Sequence, residues 1–262
     1  MEIRSLGFRT DLALLQRTGS EVEDLGTHLV IRTPANPTFY WGNFLLLAQP
    51  PVPGGEKEVV GVFHSEFPDA AHVAIGIDAT EDPGDMQAWR DAAMEVDVAT
   101  VLVATQMVRP LAPLGEVDVR PLESEEDWEQ RARLSLATND VTNEESHLAF
   151  ARGKNAQERA LVEAGDGARF GAFVDGELVS TAGIFRVEPG LARFQTVETH
   201  PDHSRQGIGA NVVHAAGVHG LEELGAERLV IVAETDADAI RIYRRLGFED
   251  LQRQVMLQRS PS

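Results

Sequence analysis

Two turn dipeptides set between apolar segments constrain the fold of this chain more than any other feature. Asp175-Gly176 and Pro189-Gly190 separate three segments of strand-like composition, which are Phe170 to Val174, Leu178 to Val187 and Leu191 to Thr199. Dipeptides of this kind favour tight hairpin turns. The three segments are therefore predicted to be consecutive strands of one sheet in the second half of the chain.

Helices and further strands are predicted on both sides of these three strands. Before them come a strand at Val117 to Arg120, a helix from Ser124 to about Ala137 and a helix from about Glu144 to Ala164. After them come a helix from about Ile208 to Leu224, a strand at Leu229 to Ala233, a helix at Ala237 to Leu246 and a strand near Val255 to Leu257. The predicted fold class is α/β, or α+β, with a mixed central sheet and flanking helices.

The N-terminal half is predicted to be a second, smaller α/β domain. Its predicted strands are His28 to Arg32, Phe39 to Leu47, Val59 to Glu66, His72 to Asp78 and Val98 to Val108, with a helix from Asp85 to about Val96. The segment from Arg109 to Gly115 contains two prolines and a glycine without periodic burial, as in a linker. The predicted domains are therefore 1–110 and 116–262.

Composition excludes several classes of partner and mechanism. The formal net charge is -19, so a nucleic acid backbone would be repelled and no such partner is predicted. A cationic amine would be attracted, although solubility explains an acidic surface equally well. The chain has no cysteine, which excludes disulfides, thiolate metal sites and an acyl group carried on an enzyme thiol. Met1 to Ser20 lacks the apolar block of a signal peptide or membrane span, so a cytoplasmic protein without a membrane partner is predicted.

One segment has the form of an anion-binding loop. Val197-Glu198-Thr199 ends a predicted strand, and Arg205-Gln206-Gly207-Ile208-Gly209-Ala210 leads from a loop into a helix. Backbone N–H groups at such a helix start point into one concavity at the positive end of the helix dipole. Glycine at 207 and 209 would let a pyrophosphate approach the backbone closely. A glycine pair that merely opens an ordinary packing helix is the alternative explanation.

A second segment places a tyrosine on a short, well-bounded helix. Asp236 suits the N-cap and Gly247 the C-terminal end of this helix. Tyr243 is expected to share a helix face with Ala239, Ile242 and Leu246, which would put its hydroxyl at the edge of the core. Packing alone is the alternative role for this side chain. The chain has only two tyrosines, which makes a chance match at this position less probable.

In this order and separation, the two segments resemble the GNAT superfamily of N-acetyltransferases. They match its pyrophosphate loop and its late Ala-x-x-x-Tyr-x-x-x-Gly-Phe motif, here Ala239, Tyr243, Gly247 and Phe248. The resemblance covers the second half of the chain, including the order of strands and helices. It implies an enzyme that moves an acetyl group from acetyl-CoA to an amine by direct attack in a ternary complex, without a metal.

The resemblance also implies roles for individual residues. The exposed edge of the fourth strand, from Val197 to Thr199, would pair with the pantetheine arm, and Tyr243 would protonate the departing thiolate. The pyrophosphate loop would be Arg205, Gln206, Gly207, Ile208, Gly209 and Ala210. Ser204 stands where the family usually has Arg or Gln, which weakens one expected contact. Asp236 stands where Asn is frequent, so a capping role is expected to survive better than a direct contact with the coenzyme.

The base that deprotonates the amine is the least defined part of the site. Glu198 is the first candidate, although strict strand alternation would turn it away from the face of Val197 and Thr199. A bulge, which the family has near this point, re-aims side chains. His200 is the second candidate, with a surface loop histidine as its alternative role. Gln195 and Arg193 occupy other positions that relatives use, but neither is a plausible base.

Several readings of the whole chain stay open. The N-terminal half loosely resembles a degenerate GNAT-like unit, as in tandem GNAT proteins with one silent half, and the acidic loop after His72 to Asp78 lacks a glycine pair. A non-catalytic acyl-CoA sensor is the main alternative to an enzyme. The acceptor could be a small amine or a protein amine. The oligomeric state is open, with a homodimer as one option.

Overall fold

The computed structural model describes residues 1–141, 143–235 and 237–260, and its contacts divide the chain into two units. The first unit comprises Met1–Val101, Val232–Ala237 and Asp250–Ser262, and the second comprises Leu102–Ile231 and Asp238–Glu249. Both units contain helices and strands, so the predicted mixed α/β class is confirmed. The domains predicted from sequence, 1–110 and 116–262, differ from this division and stay a prediction.

Helices and strands are interspersed along the described residues. They are α1 Leu6–Arg17, β1 Glu21–Asp24, β2 His28–Arg32, β3 Phe44–Leu47, α2 Glu56–Glu66, β4 Val73–Ile77, α3 Gln87–Asp91, β5 Glu95–Ala104, β6 Asp118–Pro121, α4 Glu125–Thr138, α5 Glu144–Glu163, β7 Gly167–Val174, β8 Glu177–Glu188, β9 Leu191–Thr199, α6 Ile208–Glu222, β10 Arg228–Glu234, α7 Asp238–Arg245 and β11 Glu249–Arg259. Short 3₁₀ turns lie at Tyr40–Gly42 and Pro201–His203.

Strands of the first unit are ordered β1-β2-β3-β4-β11-β5. Antiparallel pairing joins β1 to β2, β2 to β3 and β4 to β11, whereas β3 and β4 run parallel. The apolar cores of this unit include Phe8 and Phe44 in one cluster and Phe63 and Trp89 in another. The final strand was predicted near Val255 to Leu257, and β11 is longer on both sides.

The prediction of a strand at Val59 to Glu66 is wrong, because these residues form the helix α2. Phe63 is fully buried, and Val59 and Val60 pack against the same core. This spacing of three and four residues is the helical period, and it outweighs the β-propensity of the valines. Glu56 and Glu58 in the first turn also suit the positive end of the helix.

Other differences in the first unit concern element ends. The helix α1 was not predicted, although Ser5 caps it by accepting a hydrogen bond from the N–H of Phe8 at 3.3 Å. The predicted strand from Phe39 is shortened to β3, since Tyr40–Gly42 form a 3₁₀ turn. The helix predicted after Asp85 is only the short α3, so β5 begins earlier than predicted.

Strands of the second unit are ordered β6-β7-β8-β9-β10. The first four are antiparallel neighbours, and β10 runs parallel to β9. The hairpin turns predicted from sequence are confirmed, with positive φ angles of 52° at Asp175, 86° at Gly176 and 73° at Gly190. The predicted helices and strands of this unit are all present within a few residues of their expected ends.

Helices cover both faces of the second unit's sheet. Neighbouring residues of β8 show this, since Gly183 faces the side chain of Arg169 whereas Ile184 faces Gly220 of α6. The helices α4 and α5 pack together on the Arg169 face, where Trp128, Leu134 and their neighbours form a hydrophobic cluster. The candidate site residues lie on β9 and at the start of α6, between these two layers.

Candidate functional site

A bulge interrupts β9 where the candidate site begins. Thr181 of β8 pairs with Glu198, whereas Gly183 pairs with Gln195, so β9 has one residue more than β8 over this interval. Thr196, inside the interval, has a φ of 42°, which non-glycine residues seldom adopt. A bulge bends its strand and re-aims the side chains that follow. The bulge expected near Val197 is therefore present.

The edge of β9 nearest β10 is paired over only part of its length. The parallel register joins Leu191 to Arg228 and ends with Arg193 opposite Val230. Among the described residues, β9 continues beyond this pairing to Thr199. The predicted pantetheine edge, Val197 to Thr199, lies in this continuation, and all three residues are partly exposed.

Free backbone amides collect where the loop enters α6. Arg205 and Gly207 have positive φ angles of 59° and 80°, and the helix starts directly afterwards at Ile208. The first turn of a helix has no intrahelical acceptors for its N–H groups. Gly207 provides no side-chain cap, and the described residues accept no hydrogen bond from the N–H groups of Ile208, Gly209 or Ala210. These amides form a positively polarised helix start suited to an anion.

Gly209 allows the start of α6 to lie directly against the end of β9. A Cβ atom at this position would lie 2.8 Å from the Thr199 Oγ1, which is itself 2.8 Å from the Ser180 Oγ. The distance of 2.8 Å between this Cβ and the Thr199 Oγ1 is shorter than real Cβ contacts. The turn into α6 and the partly exposed strand edge therefore lie side by side at a glycine that cannot be replaced without movement.

The predicted linker lies beside the same loop. The N–H of Leu114 donates to the backbone oxygen of Gln206 at 3.3 Å, and the Asn211 Nδ2 donates to the backbone oxygen of Leu111 at 3.1 Å. A Cβ at Gly207 would lie 3.7 Å from the Cα of Pro113. Sequence reasoning treated this segment only as a domain connection and missed these contacts.

Tyr243 is buried in α7, where it keeps its proton. Its side chain is 6% exposed, and its ring packs edge-on against Phe248 with centroids 6.1 Å apart. Burial raises the pKa of the Tyr243 hydroxyl to about 12. Within the part of the chain that the structure describes, this hydroxyl has no hydrogen-bond partner. The predicted N-cap, Asp236, lies outside the described residues.

Glu198 points to the opposite layer from Thr199. The Thr138 Oγ1 at the end of α4 donates to the Glu198 Oε1 at 3.1 Å, whereas Thr199 contacts the α6 side through Gly209. The bulge therefore leaves the two neighbours on alternate faces, as strict alternation predicts. Thr138 was not among the candidate residues, because nothing in the sequence connects it to β9.

His200 has a local structural contact. Its Nδ1 accepts a hydrogen bond from the N–H of Asp202 at 3.2 Å and so caps the 3₁₀ turn at Pro201–His203. The rings of His200 and His203 are 5.9 Å apart. Of the other two positions weighed as bases, Arg193 is buried and Gln195 is partly exposed. This arrangement fits the alternative role of His200 as a loop histidine.

A buried charge cluster lies behind the bulge. Glu158 of α5 accepts from the Arg131 Nη2 at 3.1 Å and from the Arg169 Nε at 2.6 Å, and Asn155 also accepts from Arg131. Burial alone would raise the pKa of Glu158, but the charges of Arg131 and Arg169 outweigh burial and lower it. Burial, with the nearby charge of Arg169, lowers the pKa of Arg131 to about 10, against the opposing effect of Glu158 and Glu198.

Sequence reasoning missed this cluster entirely. Its one visible signal is Arg169, a charged residue inside the otherwise apolar strand β7. Charged residues are seldom fully buried unless they are paired. An arginine within such a strand therefore indicates a partner, although it does not indicate which one.

Within residues 1–141, 143–235 and 237–260, no three His, Asp or Glu side chains come together as metal ligands. Over those same ranges, no helix is both long enough and apolar enough to cross a membrane.

Comparisons with known proteins agree with this geometry. The model of the acetyltransferase (GNAT) family matches residues 126–248. No curated protein matches the chain. A GCN5-related N-acetyltransferase from Kribbella flavida has 21% identity and a TM-score of 0.64, covering 98% of this chain and 97% of that one.

Two further solved structures share the fold over nearly the whole chain. A functionally unknown conserved protein from Staphylococcus epidermidis ATCC 12228 has a TM-score of 0.74 at 14% identity, covering 94% of this chain and 96% of that one. A tandem GNAT protein from the clavulanic acid biosynthesis pathway has a TM-score of 0.56 at 14% identity, covering 100% of this chain and 90% of that one. The family match, on the residues that form the bulged strand and the anion-binding turn, identifies residues 126–248 as a domain of the GNAT acetyltransferase family.

Proposed function

We propose that this protein is an N-acyltransferase that moves an acetyl group from acetyl-CoA to an amine. The observation that carries the proposal is the group of free amides at Ile208, Gly209 and Ala210, set against the partly exposed end of β9. Amides at a helix start bind pyrophosphate, and an exposed strand edge binds an extended, amide-containing chain. Coenzyme A contains both groups in series.

The residues present fit such a ligand. The N–H groups of Arg205 to Ala210 would hold the pyrophosphate, with glycine at 207 and 209 leaving the backbone accessible. The main chain from Val197 to Thr199 would pair with the pantetheine amides. The exposed side chain of Arg205 adds a positive charge beside the loop in a protein whose net charge is -19.

Two side chains would move protons in the reaction. The amine nitrogen attacks the thioester carbonyl carbon, and Glu198 accepts the proton that the nitrogen releases. The carbon–sulfur bond then breaks, and the Tyr243 hydroxyl gives its proton to the sulfur. A pKa of about 12 keeps that proton on Tyr243 at neutral pH. The chain contains no cysteine, which supports direct attack over a thiol-bound intermediate.

The proposal of direct transfer is tested on the full chain by intact-mass spectrometry. The chain is mixed with acetyl-CoA, first without an acceptor and then with a panel of amines. Direct transfer predicts no acetylated protein in the first mixture and an acetylated amine in the second. Binding of acetyl-CoA without transfer to any amine or peptide would instead support the acyl-CoA sensor, and accumulation of an acetylated protein would contradict direct attack.

We also propose that the first unit is a silent GNAT-like half. The acidic loop after His72 to Asp78 lacks a glycine pair, and the longer helix α2 follows β3 rather than β4. The strand–loop–helix step of this unit contains Gly54-Gly55 and then Glu56 and Glu58 in the first turn. Those carboxylates lie where an anion would bind and would repel it, which supports a single active site.

A further inference from the structure

A buried arginine holds the bulge of β9 from the neighbouring layer. Arg169 is 1% exposed, and its guanidinium donates to the backbone oxygen of Gln195 at 3.0 Å and to that of Thr196 at 3.1 Å. Both carbonyls belong to the irregular interval of β9, where a bulge disrupts the ladder. Arg169 gives these part-buried carbonyl groups a charged donor and bonds two successive residues at once.

The path of this side chain depends on a glycine. Arg169 lies opposite Gly183 in the register of β7 and β8. A Cβ atom at Gly183 would lie 2.7 Å from the Arg169 Nη2 and 3.1 Å from its Cζ. The absence of a side chain at this position lets the guanidinium cross β8 and reach β9. On the way, the Arg169 Nη1 also donates to the Thr181 Oγ1 at 3.3 Å.

Glu158 forms an ion pair with Arg169 and a second one with Arg131. The Glu158 carboxylate receives one arginine on each oxygen, which fixes the Arg169 guanidinium in position. Removing one partner of such a buried ion pair would leave an uncompensated charge, although the Arg131 Nε itself has no hydrogen-bond partner among the described residues. The same cluster lies close enough to Glu198 for the charge of Glu198 to raise the pKa of Arg131, against the larger lowering effect of burial.

We propose that Arg169 is a positioning residue for acyl transfer. By holding the carbonyl groups of Gln195 and Thr196, it sets the shape of the bulge and thereby the direction of the Glu198 side chain and of the strand edge at Val197. This inference rests on the function proposed above, in which that edge binds the coenzyme and Glu198 accepts a proton. Arg169 itself touches neither substrate.

Two double variants test this role at constant cluster charge. Arg169→Met with Glu158→Gln removes the donors to the bulge, whereas Arg131→Met with Glu158→Gln leaves them in place. Each pair removes one cation and one anion, so the net charge of the cluster is unchanged. The full-length variants are compared for the dissociation constant of coenzyme A, for kcat and KM with acetyl-CoA, and for hydrogen exchange of the β9 amides.

The double variant Arg169→Met with Glu158→Gln is expected to bind coenzyme A about tenfold more weakly, since a displaced edge of β9 loses hydrogen bonds to the ligand. Its kcat should fall as well, and the amides of residues 196 to 199 should exchange faster. The double variant Arg131→Met with Glu158→Gln should change the dissociation constant, kcat and the exchange rates much less. Equal affinity and kcat in the two double variants, or wild-type exchange rates in the one that lacks Arg169, would overturn the role of Arg169.

A single, milder variant tests the same role if the double variant Arg169→Met with Glu158→Gln does not fold. Arg169→Lys keeps the buried charge but cannot donate to two carbonyls in the planar arrangement of a guanidinium. We expect the same changes at a smaller scale, and wild-type values in a folded Arg169→Lys protein would overturn the inference. If wild type neither binds coenzyme A nor releases its thiol, the proposed function fails instead, whereas the exchange comparison still decides whether Arg169 shapes the bulge.

Discussion

Tyr243 combines an observed packing role with a proposed chemical one. Its ring contributes to the core beside Phe248, so a packing role is present whatever the protein does. Its hydroxyl, however, has no partner among the described residues, and burial raises its pKa to about 12. A hydroxyl without a protein partner is available to a substrate atom, as the proposed role of a general acid requires.

Replacing Tyr243 by Phe should separate binding from catalysis. The variant keeps the ring, so coenzyme A should bind with nearly the wild-type dissociation constant. Loss of a general acid typically lowers a rate by about 100-fold or more, and kcat for thiol release should fall by that amount. Tyr40→Phe, which changes the other tyrosine of the chain, is the matched control and should keep wild-type kcat.

The same variant should alter stability at alkaline pH. Because burial raises the folded pKa of Tyr243 to about 12 from its ordinary value of 10.0, the folded state retains a proton that the unfolded state loses. The stabilising contribution is complete below pH 10 and is lost as pH rises toward 12. Between pH 8 and pH 11 this costs about 1 kcal/mol. Urea unfolding of Tyr243→Phe should lack this loss, and identical pH profiles would contradict the raised pKa.

At the scale of elements, the contact between β9 and α6 depends on the absence of a side chain at position 209. Gly209→Ala would place a Cβ 2.8 Å from the Thr199 Oγ1, so the helix start or the strand end must move. We expect a loss of roughly 1–3 kcal/mol in stability and about tenfold weaker binding of coenzyme A, measured by calorimetry.

An alanine at an unobstructed glycine provides the control. Gly153 lies in the exposed face of α5, and a Cβ there meets nothing within 4 Å. Gly153→Ala should stabilise the protein by about 0.5–1 kcal/mol and leave coenzyme A binding unchanged. Equal affinities of the two alanine variants would mean that the junction at Gly209 does not shape the site.

Local sequence predicted the second unit better than the first. The turns at Asp175-Gly176 and Pro189-Gly190 define β7, β8 and β9 because their backbone angles need residues such as glycine. The helix α2 was mistaken for a strand because its valines favour strands, and only burial around Phe63 decides otherwise.

Long-range contacts explain what the sequence could not predict about the site. The loop and the tyrosine motif are local patterns, so both could be recognised. Thr138 meets Glu198 across 60 positions of the chain. Glu158 joins Arg131 and Arg169 from a different helix, at separations that follow no local period. Such partners become visible only when α4, α5 and the sheet are brought together.

At the scale of the whole molecule, the net charge of -19 repels an anionic ligand, so binding must come from the local amides. Coenzyme A at about 100 times its dissociation constant should raise the free energy of unfolding by roughly 2.7 kcal/mol, seen as a higher Tm. Pantetheine, which lacks the phosphates, should raise the Tm less at equal concentration. An equal effect of both ligands would contradict a role for the loop at Arg205 to Ala210.

The central claim is that the full chain transfers an acetyl group from acetyl-CoA to an amine. The most direct measurement is the release of free coenzyme A thiol from acetyl-CoA by the wild-type chain, with and without each member of a panel of small amines and peptides. Our account predicts release that depends on an amine and follows saturation kinetics in both substrates. Acetyl-CoA that is not bound, or that is bound without any amine-dependent release, would contradict it.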